Sequence, residues 1–171
     1  MGTEPELSII IPCYNEEGNI PLIIDELKKI VNNHDNLEII LVNNGSTDNS
    51  KDIFQKELTK LDSNFFKLLN ITQNQGYGYG ILKGLDAANG KLLSWTHADM
   101  QTDPLDVIKA LELYNNSEEK QIIIKGKRRH RKSLESLFTF GMQIVVLLIL
   151  RTYLDDINAQ PKLFPKIGRA H

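Results

Sequence analysis

Five short apolar, β-branched runs alternate with longer segments of helical periodicity along this chain, and no other feature restricts its fold as tightly. The runs fall at residues 7–13, 37–42, 66–72, 91–96 and 121–125. Between the first two, Ile20, Ile23, Ile24, Leu27, Ile30 and Val31 recur at the spacing that gathers apolar side chains on one side of a helix. Residues 48–61, 79–88 and 104–114 fill the later gaps as helices. Runs that are apolar throughout, rather than alternating with polar residues, suit a sheet covered on both faces. Strand–helix–strand order repeated in this way predicts a three-layer α/β fold with a mostly parallel, Rossmann-like central sheet and right-handed crossovers. At 171 residues the chain is expected to form one core-bearing domain, 1–171, rather than two.

In such sheets ligands bind outside the carboxyl ends of the strands, where strand order reverses, so the loops leaving those ends carry the functional information. The fourth run leads into Thr96-His97-Ala98-Asp99-Met100-Gln101-Thr102-Asp103-Pro104. Asp103 suits a helix N-cap, Pro104 the first helical position and Asp106 the first turn. Asp99 and Gln101 stand two residues apart, where a short extended segment points both into one cleft. Oxygen ligands so placed can hold a hard divalent cation whose shell is completed by phosphate oxygens and water. The same stretch also reads as a polar loop that merely caps a helix.

The first run leads into Pro12-Cys13-Tyr14-Asn15-Glu16-Glu17. Tyr14 and Glu16 can face a base or ribose there, while Asn15 and the carboxylates equally suit the start of a helix. The second leads into Asn43-Asn44-Gly45-Ser46-Thr47-Asp48. Gly45 permits a tight turn and Ser46 or Thr47 can cap the next helix, which leaves the paired amides of Asn43 and Asn44 to be explained. Such amides both donate to and accept from a nucleobase edge. The third leads into Gln73-Asn74-Gln75-Gly76-Tyr77-Gly78-Tyr79-Gly80, whose alternate glycines, Gly76 included, permit positive φ or close backbone approach before a helix. It is neither a P-loop nor a complete dinucleotide fingerprint, and it also reads as a flexible turn.

Taken in order, Ser8-Ile9-Ile10-Ile11-Pro12-Cys13-Tyr14-Asn15-Glu16-Glu17, Val42-Asn43-Asn44-Gly45-Ser46-Thr47-Asp48, Asn74-Gln75-Gly76-Tyr77-Gly78 and Ala98-Asp99-Met100-Gln101-Thr102-Asp103-Pro104 resemble the family 2 glycosyltransferases. Within that family the chain is most similar to the dolichyl- or polyprenyl-phosphate sugar transferase branch, from about Leu7 to Phe164. The resemblance implies a GT-A nucleotide-diphospho-sugar transferase fold, a UDP- or GDP-linked sugar donor, inversion at the anomeric carbon, and Mg²⁺ or Mn²⁺. It assigns Pro12, Tyr14 and Glu16 to the base- and ribose-contacting turn and Gly76 and Asp99 to donor binding. It also places Asn44 where the family commonly has a base-contacting aspartate. The family's Asp-x-Asp becomes His97-Ala98-Asp99 with Gln101 retained, so Asp99 and Gln101 are the implied metal ligands. His97 is either a third ligand, suited to Mn²⁺ through a neutral imidazole, or a neighbour behind them.

Towards the C-terminus, Asp155-Asp156-Ile157-Asn158-Ala159-Gln160-Pro161-Lys162-Leu163-Phe164 resembles the family's Asp-x-x-x-Gly-Phe-Lys/Arg-x-Phe segment, with Gln160-Pro161 in place of Gly-Phe. Asp156 is the implied base or acceptor-positioning residue, and Arg128, or its neighbour Arg129, the implied contact to donor or acceptor phosphate. Arg128 stands in a run of six Lys/Arg within residues 125–132. That run has no interleaved aromatics and the chain has a net charge of -2, which argues against nucleic-acid binding. Adjacent cations would attract an anionic membrane surface at roughly 1 kcal/mol each.

Residues 137–150 follow without one charge, short of the roughly 20 residues that span a bilayer. They read as a buried core helix or as an interfacial one that admits a lipid-linked acceptor, and the basic residues just before them favour the second. One cysteine, Cys13, and an acidic N-terminus without signal-peptide order point to the cytoplasm, with peripheral contact on the inner face of a membrane. The ending Lys166-Ile167-Gly168-Arg169-Ala170-His171 does not finish a helix or strand, which suggests a chain truncated at its C-terminus. The expected function is an inverting transferase acting on a polyprenyl phosphate or other membrane-associated acceptor. The alternatives are a soluble-glycan transferase, or a non-catalytic nucleotide-binding scaffold suggested by Asn44 and His97.

Overall fold

The computed structural model describes residues 4–61, 64–126 and 159–166. Within them lie six strands and four helices: β1 Leu7–Cys13, α1 Ile20–Val31, β2 Leu37–Asn44, α2 Ser50–Leu58, β3 Phe66–Ile71, α3 Tyr77–Ala87, β4 Leu92–Trp95, α4 Asp106–Asn116, β5 Ile124–Lys125 and β6 Lys162–Pro165. The sheet runs β3-β2-β1-β4-β6-β5. The first four strands are mutually parallel, whereas β6 lies antiparallel to both β4 and β5. Strand order therefore reverses between β1 and β4, and the carboxyl ends of these two strands border the expected crevice.

Every residue of β1 and β2 is buried, as apolar parallel strands covered on both faces should be. On one face Leu7, Ile9 and Ile11 of β1 pack with Ile39 and Leu41 of β2 against α1, α2 and α4. On the other, Ile10, Ile40 and Val42 meet α3. Gly84 of α3 sits so close to the sheet that a Cβ there would lie 2.3 Å from Ile10 Cγ2. The expected three-layer, mostly parallel α/β sheet is present, and the bounds of β1 and α1 match the sequence pattern.

The differences are local. Residues 162–165, read from the sequence only as part of a family motif, form a strand inserted between β4 and β5, preceded by a cis Gln160–Pro161 peptide. The fifth strand shrinks to two residues, because only Ile124 and Lys125 find a partner, on β6. Helix α1 starts after Asn19, not Asn15, which has φ 55 and bonds across to the next loop. Before α2 the Ser50 N–H is taken by Asp48 Oδ1, rather than by Ser46 or Thr47. Asp103 and Pro104 belong to a turn that precedes α4, where Asp103 Oδ1 accepts from the Leu105 N–H at 2.9 Å.

At the amino ends of the strands a buried carboxylate ties the sheet together. Glu38 of β2 is 3% exposed. It accepts from Ser8 Oγ on β1, Lys67 Nζ on β3, and both the N–H (2.8 Å) and Nδ2 (2.9 Å) of Asn89 after α3. Four chain segments thus converge on one side chain at the end of the sheet opposite the crevice.

Candidate active site

The first three strand-to-helix loops interlock at the carboxyl ends of β1 and β2. The Asn15 N–H donates to Ser46 Oγ, Thr47 N–H to Asn15 Oδ1, Glu16 N–H to Ser50 Oγ and Glu17 N–H to Asp48 Oδ2, at 2.8–3.2 Å. Glu16 Oε2 accepts from Asn19 Nδ2 at 2.6 Å, so this carboxylate caps the turn into α1. Gly45 has φ +70, and a Cβ on it would fall 2.3 Å from Asn74 N in the third loop. Its replacement Gly45→Ala is therefore expected to lower stability by about 2 kcal/mol and to weaken ligand binding at the adjacent cavity. Urea unfolding with an unchanged slope and a lower midpoint would show it.

Between these loops lies a cavity of about 220 Å³ lined by Pro12, Cys13, Tyr14, Asn44, Asn74 and Tyr77. Pro12 and Asn44 form its buried wall, while Tyr14 and Tyr77, 44% and 41% exposed, stand at the rim. Burial pushes the Cys13 thiol well above its ordinary range, and Glu16 adds to the effect, so the sulfur is a neutral packing group. Asn44 Nδ2 donates to the Gly76 carbonyl at 3.0 Å. Its Oδ1 is one of four buried side-chain atoms without a partner among the described residues. A buried acceptor left unmatched beside a cavity is an address for a donor on a ligand.

The fourth loop stands alongside. His97 stacks on Tyr77, with ring centroids 4.9 Å apart and planes 6° from parallel, and its Nε2 lies 3.4 Å from Tyr77 Oη. Burial raises the Tyr77 hydroxyl above its ordinary range, and the charge of Asp99 raises it further. Asp99 Oδ1 accepts from the Gln101 N–H at 3.0 Å across Met100, which has φ 59. The segment is thus a left-handed turn, not the short extended piece that the spacing suggested. A non-glycine residue held at positive φ costs about 1–3 kcal/mol and gathers at functional sites.

Among the described residues no group of three or more His, Cys, Asp or Glu side chains could enclose a metal. One half-buried carboxylate with a neighbouring amide is an open, oxygen-rich set. It fits a hard cation only if a ligand's own oxygens fill most of the shell. Of the residues singled out from sequence, Pro12, Tyr14 and Asn44 meet at the cavity. Gly76 closes it through its backbone, and Asp99 and His97 adjoin Tyr77. Glu16 faces α1 instead. Arg128, Asp156, the basic run beyond Gly126 and the apolar residues 137–150 lie outside the described residues. Sequence reasoning passed over Asn74 and Tyr77. Their signal was the glycine-rich loop itself, which brings any side chain it carries onto the wall of the crevice.

The chain is 26% identical over 176 residues to a dolichyl-phosphate beta-glucosyltransferase of Dictyostelium discoideum, covering 94% of this chain and 54% of that protein. It is 29% identical over 128 residues to an undecaprenyl-phosphate 4-deoxy-4-formamido-L-arabinose transferase of Proteus mirabilis, covering 74% and 38% respectively. The chain thus spans about half the length, or less, of these relatives. Among solved structures, glucosyl-3-phosphoglycerate synthase from Mycobacterium tuberculosis in complex with UDP superposes with a TM-score of 0.69. The identity is 17%, over 94% of this chain and 57% of that one. A mannosyltransferase from Pyrobaculum calidifontis in complex with GDP-Man and Mn²⁺ gives 0.63 at 20% identity, over 74% and 36%. These likenesses establish the GT-A fold. The model for glycosyl transferase family 2 matches residues 8–166, and the chain belongs to that family.

Proposed function

We propose that this chain binds a nucleotide-sugar and transfers the sugar, with inversion, to a polyprenyl phosphate or another membrane-associated acceptor. The observation that carries the reading is the unmatched Asn44 carbonyl oxygen in the wall of the cavity at the sheet's switch point, with Asp99 on the adjoining loop. The names of the relatives, polyprenyl-phosphate sugar transferases, support the acceptor class. In this reading Asn44 bonds the base, Pro12 and Tyr14 shape the edge of its pocket, and Glu16 fixes the turn that holds them. Asp99, with Gln101 and His97 behind it, meets the diphosphate and a Mg²⁺ or Mn²⁺ ion. When bound, such an ion supplies Lewis-acid stabilisation of the charge that builds on the departing diphosphate. A phosphate acceptor is already anionic and needs positioning more than deprotonation, the task assigned to Asp156 and Arg128. Among the described residues no helix is long and apolar enough to cross a membrane. The sequence of residues 125–150, a basic run followed by an uncharged apolar stretch, supports assigning them the contact with a lipid-linked acceptor at the cytoplasmic face of a membrane.

Calorimetric titration with UDP, GDP and their sugar conjugates, each with Mn²⁺, Mg²⁺ or EDTA, tests the reading. Metal-dependent binding of one nucleotide is expected. A chain that binds none of them under any condition is a scaffold rather than a transferase.

A further inference from the structure

The interior of the third loop decides which way round the Asn44 amide stands. A backbone N–H only donates and a backbone carbonyl only accepts. The Gly76 N–H lies 2.7 Å from a side-chain atom of Asn74, so that atom is its Oδ1. The Gly76 carbonyl lies 3.0 Å from a side-chain atom of Asn44, so that atom is its Nδ2, which also lies 3.5 Å from Asn74 Oδ1. Gly80 leaves the amide its place, since a Cβ there would come within 3.0 Å of Asn44 Cγ and Nδ2. Only Oδ1 of Asn44 is left for a ligand, and it has no partner among the described residues.

We propose that Asn74 and the Gly76 backbone are positioning groups that set base specificity by holding Asn44 as an uncharged, acceptor-only contact. The inference rests on the nucleotide-binding reading above. Two consequences follow from the chemistry. Where Oδ1 meets the ring nitrogen of the base, the cleft takes one that offers a ring N–H there, as the uracil imide and the guanine lactam do, over one whose corresponding nitrogen is an acceptor, as in cytosine and adenine. An aspartate at position 44, the residue common in the family, fails in this chain. One of its oxygens would replace Nδ2 beside the Gly76 carbonyl and Asn74 Oδ1, gathering three oxygens with no proton between them.

The test is calorimetric titration of UDP, CDP, GDP and ADP, with Mn²⁺ present, against the wild type, Asn74→Ala and Asn44→Asp, with a melting curve for each protein. The wild type is expected to prefer UDP over CDP, or GDP over ADP, by at least about tenfold. Asn74→Ala is expected to shrink that ratio to within about threefold, whereas loss of a merely structural contact would weaken both nucleotides equally. Asn44→Asp is expected to bind the preferred nucleotide at least about tenfold more weakly. Should that variant not fold, the ratio in Asn74→Ala decides. Equal affinity for the two bases, an unchanged ratio in Asn74→Ala, or undiminished binding by folded Asn44→Asp overturns the inference and leaves the nucleotide reading intact. A wild type that binds no nucleotide overturns both.

Discussion

Replacing Asp99 by alanine is expected to lower sugar transfer by about 10²–10³-fold, because in the proposed reading this carboxylate meets the metal ion and the diphosphate on which charge develops. The folded chain should barely notice the change. Asp99 is half-buried, and its carboxylate closes the turn by accepting from the Gln101 N–H, a contact worth about 1 kcal/mol. The diagnostic measurement is therefore nucleotide affinity with Mn²⁺ and with EDTA. In the wild type EDTA should weaken binding, and in Asp99→Ala the two conditions should give the same, weaker value. A variant that keeps both its affinity and its sensitivity to EDTA would remove Asp99 from the metal-binding role. In the wild type the Asp99 carboxylate is held in the turn by the bond from the Gln101 N–H across Met100, whose φ is 59.

The largest stability effect is expected far from the cavity. Glu38→Gln should destabilise the fold by roughly 2–4 kcal/mol, since the amide Nε2 would replace one carboxylate oxygen and confront either Lys67 Nζ and Asn89 Nδ2 or Ser8 Oγ and the Asn89 N–H. Burial by itself would raise the Glu38 carboxyl. The bonds from the Asn89 N–H, Lys67, Ser8 and the Asn89 amide outweigh it and hold the group below its ordinary value of 4.5. A carboxyl depressed in the folded state stabilises fully above its unfolded value, and the contribution is lost as pH falls through the folded one. Wild-type stability should therefore drop below about pH 4.5 more steeply than that of Glu38→Gln. Parallel curves of unfolding free energy against pH for the two proteins would show that Glu38 is not the group responsible. Nucleotide affinity of the folded variant should be unchanged, because the cluster lies at the opposite end of the strands.

How far the sequence could be read depended on whether a feature was local. The largely apolar run of β1, broken only by Ser8, and the 3.6-residue recurrence in α1 gave those elements their observed limits, because burial of a whole strand or a helix face writes itself into consecutive residues. Caps were less legible. Asn15, Ser46, Thr47, Asp48 and Asn49 are all good capping residues, and which of them serves a helix depended on bonds between one loop and another. Strand β6 carried almost no signal, since four residues of mixed polarity become a strand only through pairing with β4 and β5.

The candidate site divides in the same way. Tyr14, Asn44, Gly76 and Asp99 could be picked out because polar or glycine residues directly after buried strands have few structural uses. The orientation of Asn44 could not, since it follows from a carbonyl 32 residues further along the chain. Nor could the stacking of His97 on Tyr77, which brings together the third and fourth loops. The layers, the parallel direction of the main strands and the loops proposed to bear the chemistry were legible from consecutive residues, because hydrophobic periodicity and helix geometry are short-range properties. Strand order, the antiparallel insertion of β6 and the unmatched acceptor at Asn44 came from the folded chain alone, because each arises from contacts between residues that are distant in sequence.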